Sequence, residues 1–481
     1  HIHHNEQYSY LLDQWDSQRD KPLVIGEWWV GGRAGMPRNI TGRDHKLYSA
    51  FVRDIAALYR ERIMELRLRG VNGIMPYNYL CYLFEPIFDY RRRVSLPGSD
   101  TMQSCPDFLS PYSSCVGMGK ELCNPGWDLS LPSVILNATL EKAFSNAFAP
   151  AAAFFSQRGL YVEAGTETRK IRVMNDSAVS RSFTVKWEAA VQGRQAGAGQ
   201  WEITLPAGGW TNLTAEFPLS PEENDREAVL SCELWENGTL LHTDSLPLHV
   251  LAVRKPQLQP LLLYDEADGE TAAMLRNLSV PFSCTDLKDL PSGQGMTLVI
   301  GAGMNDGTLS GARDRMRRFV REGGKILVLT QRFPAPWLPV KIGFQSCELQ
   351  TSCDYFDIGS PAPTNRGVNF SRYFTVYTPG HPLFQGVPDT VSAFREGDGR
   401  VVDDVYVKPL ASGDMELDSL RVLSGGTKQN QASALEYFDG SGCWLMLQYK
   451  LEENAVSDPM ARRLLYNALE YLQGNASRRQ V

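Results

Sequence analysis

The sequence predicts a multidomain α/β-plus-β fold, with two α/β units flanking an immunoglobulin-like β-sandwich. Three observations predict it. The chain has 481 residues, which at the usual ~150 per domain corresponds to about three domains. Apolar strands alternate with amphipathic helices over residues 1–150 and again over 256–481, the order that builds parallel sheets. Between them, residues 151–255 hold seven short alternating runs and no helix of any length.

The first unit opens with Tyr8, Leu11, Leu12 and Trp15 at helical spacing. Lys21-Pro22 stops that helix, and Leu23-Val24-Ile25 makes a short apolar strand ending at Gly26-Glu27. A Gly-rich loop leads to a long helix with Leu47, Phe51, Ile55, Leu58, Ile63 and Leu66 on its buried face and Gly70 as C-cap. Val71–Met75 is the next strand, ending in Pro76-Tyr77-Asn78-Tyr79. An irregular stretch follows from about 95 to 131, and Ala149–Ala153 reads as a junction. The sandwich runs are Leu160–Glu163, Lys170–Met174, Phe183–Ala189, Trp201–Leu205, Thr211–Phe217, Ala228–Trp235 and Leu246–Val253. In the last unit, strands at Leu261–Tyr264, Thr297–Ile300, Lys325–Leu329 and Cys443–Gln448 alternate with helices at Gly269–Leu278, Leu309–Arg321 and Pro459–Leu472. That order is a doubly wound sheet. The arginines from Arg313 to Arg321 form a solvated helix face.

Composition bounds the partners. With 43% hydrophobic and 21% charged residues the chain is ordinary globular protein, which excludes disorder and collagen as its main content. Net charge is 48 − 55 = −7, without the dense basic patch of a nucleic-acid binder. No run of about 18 apolar residues marks a membrane span. Nine cysteines cannot all pair within one chain, and no C-x-x-C occurs, so a zinc ribbon is not expected. Cys105, Cys115 and Cys123 cluster in the irregular stretch, either as one disulfide plus a thiol, which suits a secreted or periplasmic protein, or as three reduced thiols. Eight Asn-x-Ser/Thr sequons carry no weight without the host. Gly301-Ala302-Gly303 lacks the third glycine of a dinucleotide loop, and no cofactor is expected.

Chemistry concentrates in Lys21-Pro22-Leu23-Val24-Ile25-Gly26-Glu27-Trp28-Trp29. A strand that delivers a carboxylate at its C-terminal end delivers it to the active face of a parallel barrel. Such a carboxylate can attack an anomeric carbon, and Trp28 and Trp29 add flat faces on which sugars stack. The pattern resembles the nucleophile strand, the seventh, of clan-A glycoside hydrolases: Lys-Pro, three apolar residues, one small residue, then Glu. The resemblance implies that residues 1–150 are the C-terminal part of a (β/α)₈ TIM barrel, with Glu27 as nucleophile. It implies that Tyr77 and Tyr79, after the eighth strand, floor the sugar subsite, and that His1 and His3 match the end of the sixth. A tag remnant and surface histidines remain open readings of His1 and His3.

The family's acid/base follows the fourth strand, normally as Asn-Glu. Asn5-Glu6 spells that pair but precedes Glu27 by only 21 residues, too few for two βα units of roughly 30 residues each. Asn5 is therefore read as a helix N-cap, and the acid/base is expected upstream of residue 1, so that this chain alone is inactive.

The last unit, with Gly323-Gly324-Lys325 and Gly380-His381-Pro382-Leu383-Phe384, is similar to the glutamine-amidotransferase-like domain of family 42 β-galactosidases, which helps subunits associate. The nucleophile turn after Lys325–Leu329 reads Thr330-Gln331-Arg332 and has no Cys, so the domain is read as catalytically degenerate. The resemblances together imply a retaining, β-galactosidase-like hydrolase, similar to family 42 or family 2, with a carbohydrate substrate and association through the last unit. Two other readings stay open: a non-catalytic carbohydrate-binding or assembly protein with a decayed barrel, and a hydrolase using Cys347 or Cys353.

Overall fold

The computed structural model describes residues 15–18, 21–28, 56, 60–61, 63–76, 138–266, 268–304, 306–332, 336–340, 342–346, 373–392, 401–402, 405–409, 419–425 and 432–474. The chain is mixed α/β and β. Strands β1 (Val24–Trp28) and β2 (Gly73–Pro76) pair in parallel. Helix α1, described at 60–61 and 63–69, lies between them in sequence. It stops where Gly70 adopts φ +82° and the N–H groups of Gly70 and Val71 donate to the carbonyls of Arg67 and Leu66. That left-handed cap is cheap only for glycine.

Helix α2 (Ala138–Ala147) leads into the sandwich. Its smaller sheet has the order β3 (Ala151–Phe155), β5 (Gly165–Asn175), β8 (Gly209–Leu219). The larger has the order β4 (Tyr161–Val162), β10 (Thr239–Val250), β9 (Arg226–Glu236), β6 (Arg181–Val191), β7 (Arg194–Leu205). Inward residues of both sheets, among them Ile171, Val173, Phe183, Val185, Phe217, Leu230 and Leu248, share one core. Within the stretch that reads as a junction, Ala151–Phe155 is a strand buried at every position. Ala151, Ala153 and Phe155 face the sandwich core, while Ala152 and Phe154 pack with Met64 of α1 and Met174.

The last unit is built on five strands in parallel, ordered β12 (Phe282–Cys284), β11 (Leu261–Tyr264), β13 (Thr297–Ile300), β14 (Lys325–Val328), β21 (Gly442–Leu447). The sheet continues antiparallel through β20 (Ala432–Asp439), β19 (Leu420–Gly425), β16 (Tyr373–Val376) and β17 (Thr390–Ser392). β15 (Ile342–Ser346) and β18 (Val405–Pro409) pair beside β20. Strand period two splits the apolar residues between two faces. Leu263, Val299 and Leu327 pack under α3 (Glu270–Asn277) and α6 (Pro459–Gln473), with the short α5 (Leu451–Asn454) beside them. Leu298, Ile300, Ile326 and Val328 pack under α4 (Gly307–Arg321). The sheet is thus covered on both faces. Asp306 and Asp458 cap α4 and α6, each accepting N–H donors of the first turn, and Pro459 stands where no N–H is needed. Among the described residues no helix is long and apolar enough to cross a membrane.

Candidate active site

β1 is fastened at its start. Leu23 N–H donates to Asn72 Oδ1 at 2.9 Å, and the N–H groups of Asn72 and Gly73 donate to the Leu23 carbonyl. The Trp15 indole N–H donates to the Lys21 carbonyl at 2.8 Å. Leu23 and Ile25 are buried and Val24 is exposed, so inward and outward positions alternate into the strand. Val24 lies opposite Gly73, where a Cβ would meet the Val24 methyls at 3.2 Å. Ile25 pairs with Ile74, and the register then slips before Trp28 meets Pro76. Glu27 falls in that slipped stretch, and Glu27 and Trp28 are the last two residues of the strand. Trp29, Tyr77, Tyr79, His1 and His3 lie outside the described residues, as do Asn5, Glu6, Cys105, Cys115 and Cys123.

The helix between these strands is held from behind by the sandwich. Arg60 donates to Asp244 and, through Nε, to Asn146 Oδ1 at 2.6 Å. Arg158 bridges Asp244 and Glu61. Arg67 donates to the carbonyls of Ala147 (2.6 Å) and Ala149 (2.9 Å) and to Asp176 (2.8 Å), with its guanidinium over the Phe154 ring. Asp244 is buried; besides the two arginines it accepts the N–H groups of Phe155 and Ser245. The stripe Arg60, Met64, Arg67 follows helical spacing. Ile63 and Leu66, also buried, lie off that stripe, so α1 is covered on two sides.

In the last unit, the residues after β14 are tied into the fold. Thr330 Oγ1–H donates to the Tyr449 carbonyl at 3.0 Å. Gln331 N–H donates to Gln448 Oε1 at 2.8 Å, and Gln448 Nε2 returns a bond to the Gln331 carbonyl at 2.7 Å. At the end of β11, the Asp265 carboxylate accepts the Ala272 N–H, and a Cβ on Gly301 would lie 2.4 Å from Asp265 Oδ1. Burial pushes the Asp265 carboxyl above its usual range. These residues lie at the carboxyl ends of the parallel strands, where doubly wound sheets bind ligands. Cys443 is buried beneath α6 and burial pushes its thiol up to about 12, far from a nucleophile's range. Cys347 and Cys353 lie outside the described residues.

No family model matches the chain, and no curated protein does. Its structural neighbours include glycoside hydrolases. One is a glycosyl hydrolase family 2 member from Bacteroides cellulosilyticus, 11% identical over 38% of this chain and 27% of that one, with a TM-score of 0.19. Another is a putative β-galactosidase from Bacteroides fragilis, 11% identical over 37% of this chain and 28% of that one, TM-score 0.19. A third is an exo-β-1,4-mannosidase from Opitutaceae bacterium strain TAV5, 13% identical over 45% of this chain and 36% of that one, TM-score 0.27. The chain thus spans about a quarter to a third of the length of these proteins.

Sequence reading located the strand with Glu27 but not the groups that hold it. Asn72 reads as part of the strand Val71–Met75, with no role for its side chain, which anchors β1. Arg60 and Arg67 have no role in that reading, because only the surface across from them shows why they are covered.

Proposed function

We propose that the chain supplies the nucleophile of a retaining glycoside hydrolase acting on a β-linked, galactoside-like carbohydrate. What supports the reading is the β1–α1–β2 unit: two parallel strands separated by a helix, with Glu27 at the carboxyl end of the first. In this reading residues 1–150 belong to a (β/α)₈ barrel. The Glu27 carboxylate attacks the anomeric carbon and forms a glycosyl-enzyme ester. A second carboxylate, about 5 Å away in retaining enzymes, protonates the leaving oxygen and then activates water. Trp28, Trp29, Tyr77 and Tyr79 line the sugar site, with His1 and His3 at its border. No cofactor takes part, and the last unit, amidotransferase-like but without its nucleophile, joins copies of the protein.

A 2-deoxy-2-fluoro-β-galactosyl fluoride tests the nucleophile separately from the acid, because fluoride departs without a proton. As the Glu27 oxygen–carbon bond forms, the carbon–fluorine bond breaks. Mass spectrometry should find one fluorosugar on the Glu27 peptide and none in Glu27→Gln. An adduct that persists in Glu27→Gln, or no adduct on Glu27, removes the reading.

A further inference from the structure

A recess lies where the sandwich meets the last unit. It encloses about 330 Å³, within the size range of small-ligand sites, which favour domain junctions. One wall is a stripe of α6 carrying Arg462, Arg463, Tyr466 and Asn467; the other is the segment that joins the two units, with Arg254 and Lys255.

The α6 wall is fixed in advance. Arg463 forks onto both oxygens of Asp225 and donates to the carbonyls of Ala252 (3.1 Å) and Gly386 (2.9 Å). Arg462 pairs with Glu163 and donates to the carbonyls of Ala455 and Val456. Asn467 donates to the carbonyls of Leu383 and Gln385. Asp225, already shared with Arg463, also accepts the Ala252 N–H at 2.8 Å.

The opposite wall is different. Arg254 and Lys255 are both exposed and adjacent in sequence; neither makes a close ion pair among the described residues, and, against the upward push of burial, the Arg254 charge helps Arg463 hold the Asp225 carboxyl below its usual range. The carboxylate that lines the cleft without an ion pair among the described residues is Glu470. Counting Asp225 with the lining residues, four cations (Arg254, Lys255, Arg462 and Arg463) meet three carboxylates (Glu163, Asp225 and Glu470), an excess of one positive charge beside a preformed polar wall.

We propose that this cleft binds a small oxyanion, a phosphate or carboxylate group on a sugar-sized molecule, held by Arg254 and Lys255 against the α6 wall. Such a ligand touches both units, so it stabilises the chain in proportion to its occupancy. The site is independent of Glu27.

The test is thermal unfolding and titration calorimetry of the intact chain with inorganic phosphate and, separately, D-glucuronate, each against sodium chloride of equal ionic strength. The expected result is a saturable rise in melting temperature with at least one of them, and the responder names the anion. The double variant Arg254→Ser/Lys255→Ser removes two exposed side chains without a close ion pair among the described residues, so its ligand-free melting temperature should stay close to that of the parent. Its affinity should fall at least about tenfold. No saturable response to either anion overturns the proposal, and so does a response that the double variant keeps.

Discussion

Acidification should loosen the packing of β10 against β3 and α2, with His242 carrying the sensitivity. His242 on β10 is 3% exposed. Its Nδ1 accepts the Ala153 N–H at 3.4 Å, and its Nε2 faces the Asn146 carbonyl at 3.2 Å. A neutral ring with its proton on Nε2 satisfies both contacts. A second proton would turn Nδ1 into a donor aimed at another donor. Burial is the main force that lowers the pKa, from 6.5 to about 4; Asp244 opposes it and Arg60 adds to it. In the unfolded chain the ring takes a proton near 6.5, in the folded one only near 4. Between these values the unfolded state holds more protons, so stability falls as pH drops through that window. The gap of 6.5 − 4 = 2.5 units corresponds to about 3 kcal/mol once pH is below 4, and about 2 kcal/mol at pH 5. Urea unfolding at a series of pH values, for the parent and for His242→Gln, isolates this group from every other titration. The variant starts weaker at neutral pH but should lose about 2 kcal/mol less than the parent by pH 5. Hydrogen exchange at the Ala153 amide, corrected for intrinsic rate, should accelerate over the same window. If both proteins lose stability in parallel, the account of His242 is wrong.

Other perturbations probe the same packing. Asp244→Ala strands Arg60 and Arg158 and uncaps the Phe155 N–H, and should cost about 3–5 kcal/mol in denaturant unfolding. Asp244→Asn, which keeps an acceptor, should cost less. In Gly199→Ala the added methyl would meet Trp187 Nε1 at 2.6 Å, so the indole must shift; the expected loss is about 1–3 kcal/mol, with altered Trp fluorescence in the folded state. Of the three described cysteines, Cys284 is exposed while Cys232 and Cys443 are buried with thiols held neutral. Brief iodoacetamide treatment followed by peptide mass spectrometry should therefore mark Cys284 and leave the other two until urea is added.

How much of this was legible depends on whether a residue's role is set by its neighbours in sequence or by a distant surface. β5, whose burial alternates along most of its length, declares itself because one face is wet. β3 does not. Both its faces are covered, by the sandwich core and by Met64 of α1, so its sequence Ala-Ala-Ala-Phe-Phe shows no period and its alanines read as a linker. The same strand explains why His242 and Asp244 are polar inside a sandwich. β3 pairs with β5 on one side only, and on its free side the N–H groups of Ala153 and Phe155 are met by His242 and Asp244, each 89 residues away. A strand edge left unpaired there would bury orphan donors. Side chains that close a strand edge look like ordinary surface positions until the edge is in place. The candidate site divides in the same way. Glu27 is legible because a strand-end carboxylate is a local pattern. The clamp that steadies its helix is not, because Arg60 and Arg67 acquire partners only when residues 146–176 and 244 fold against them.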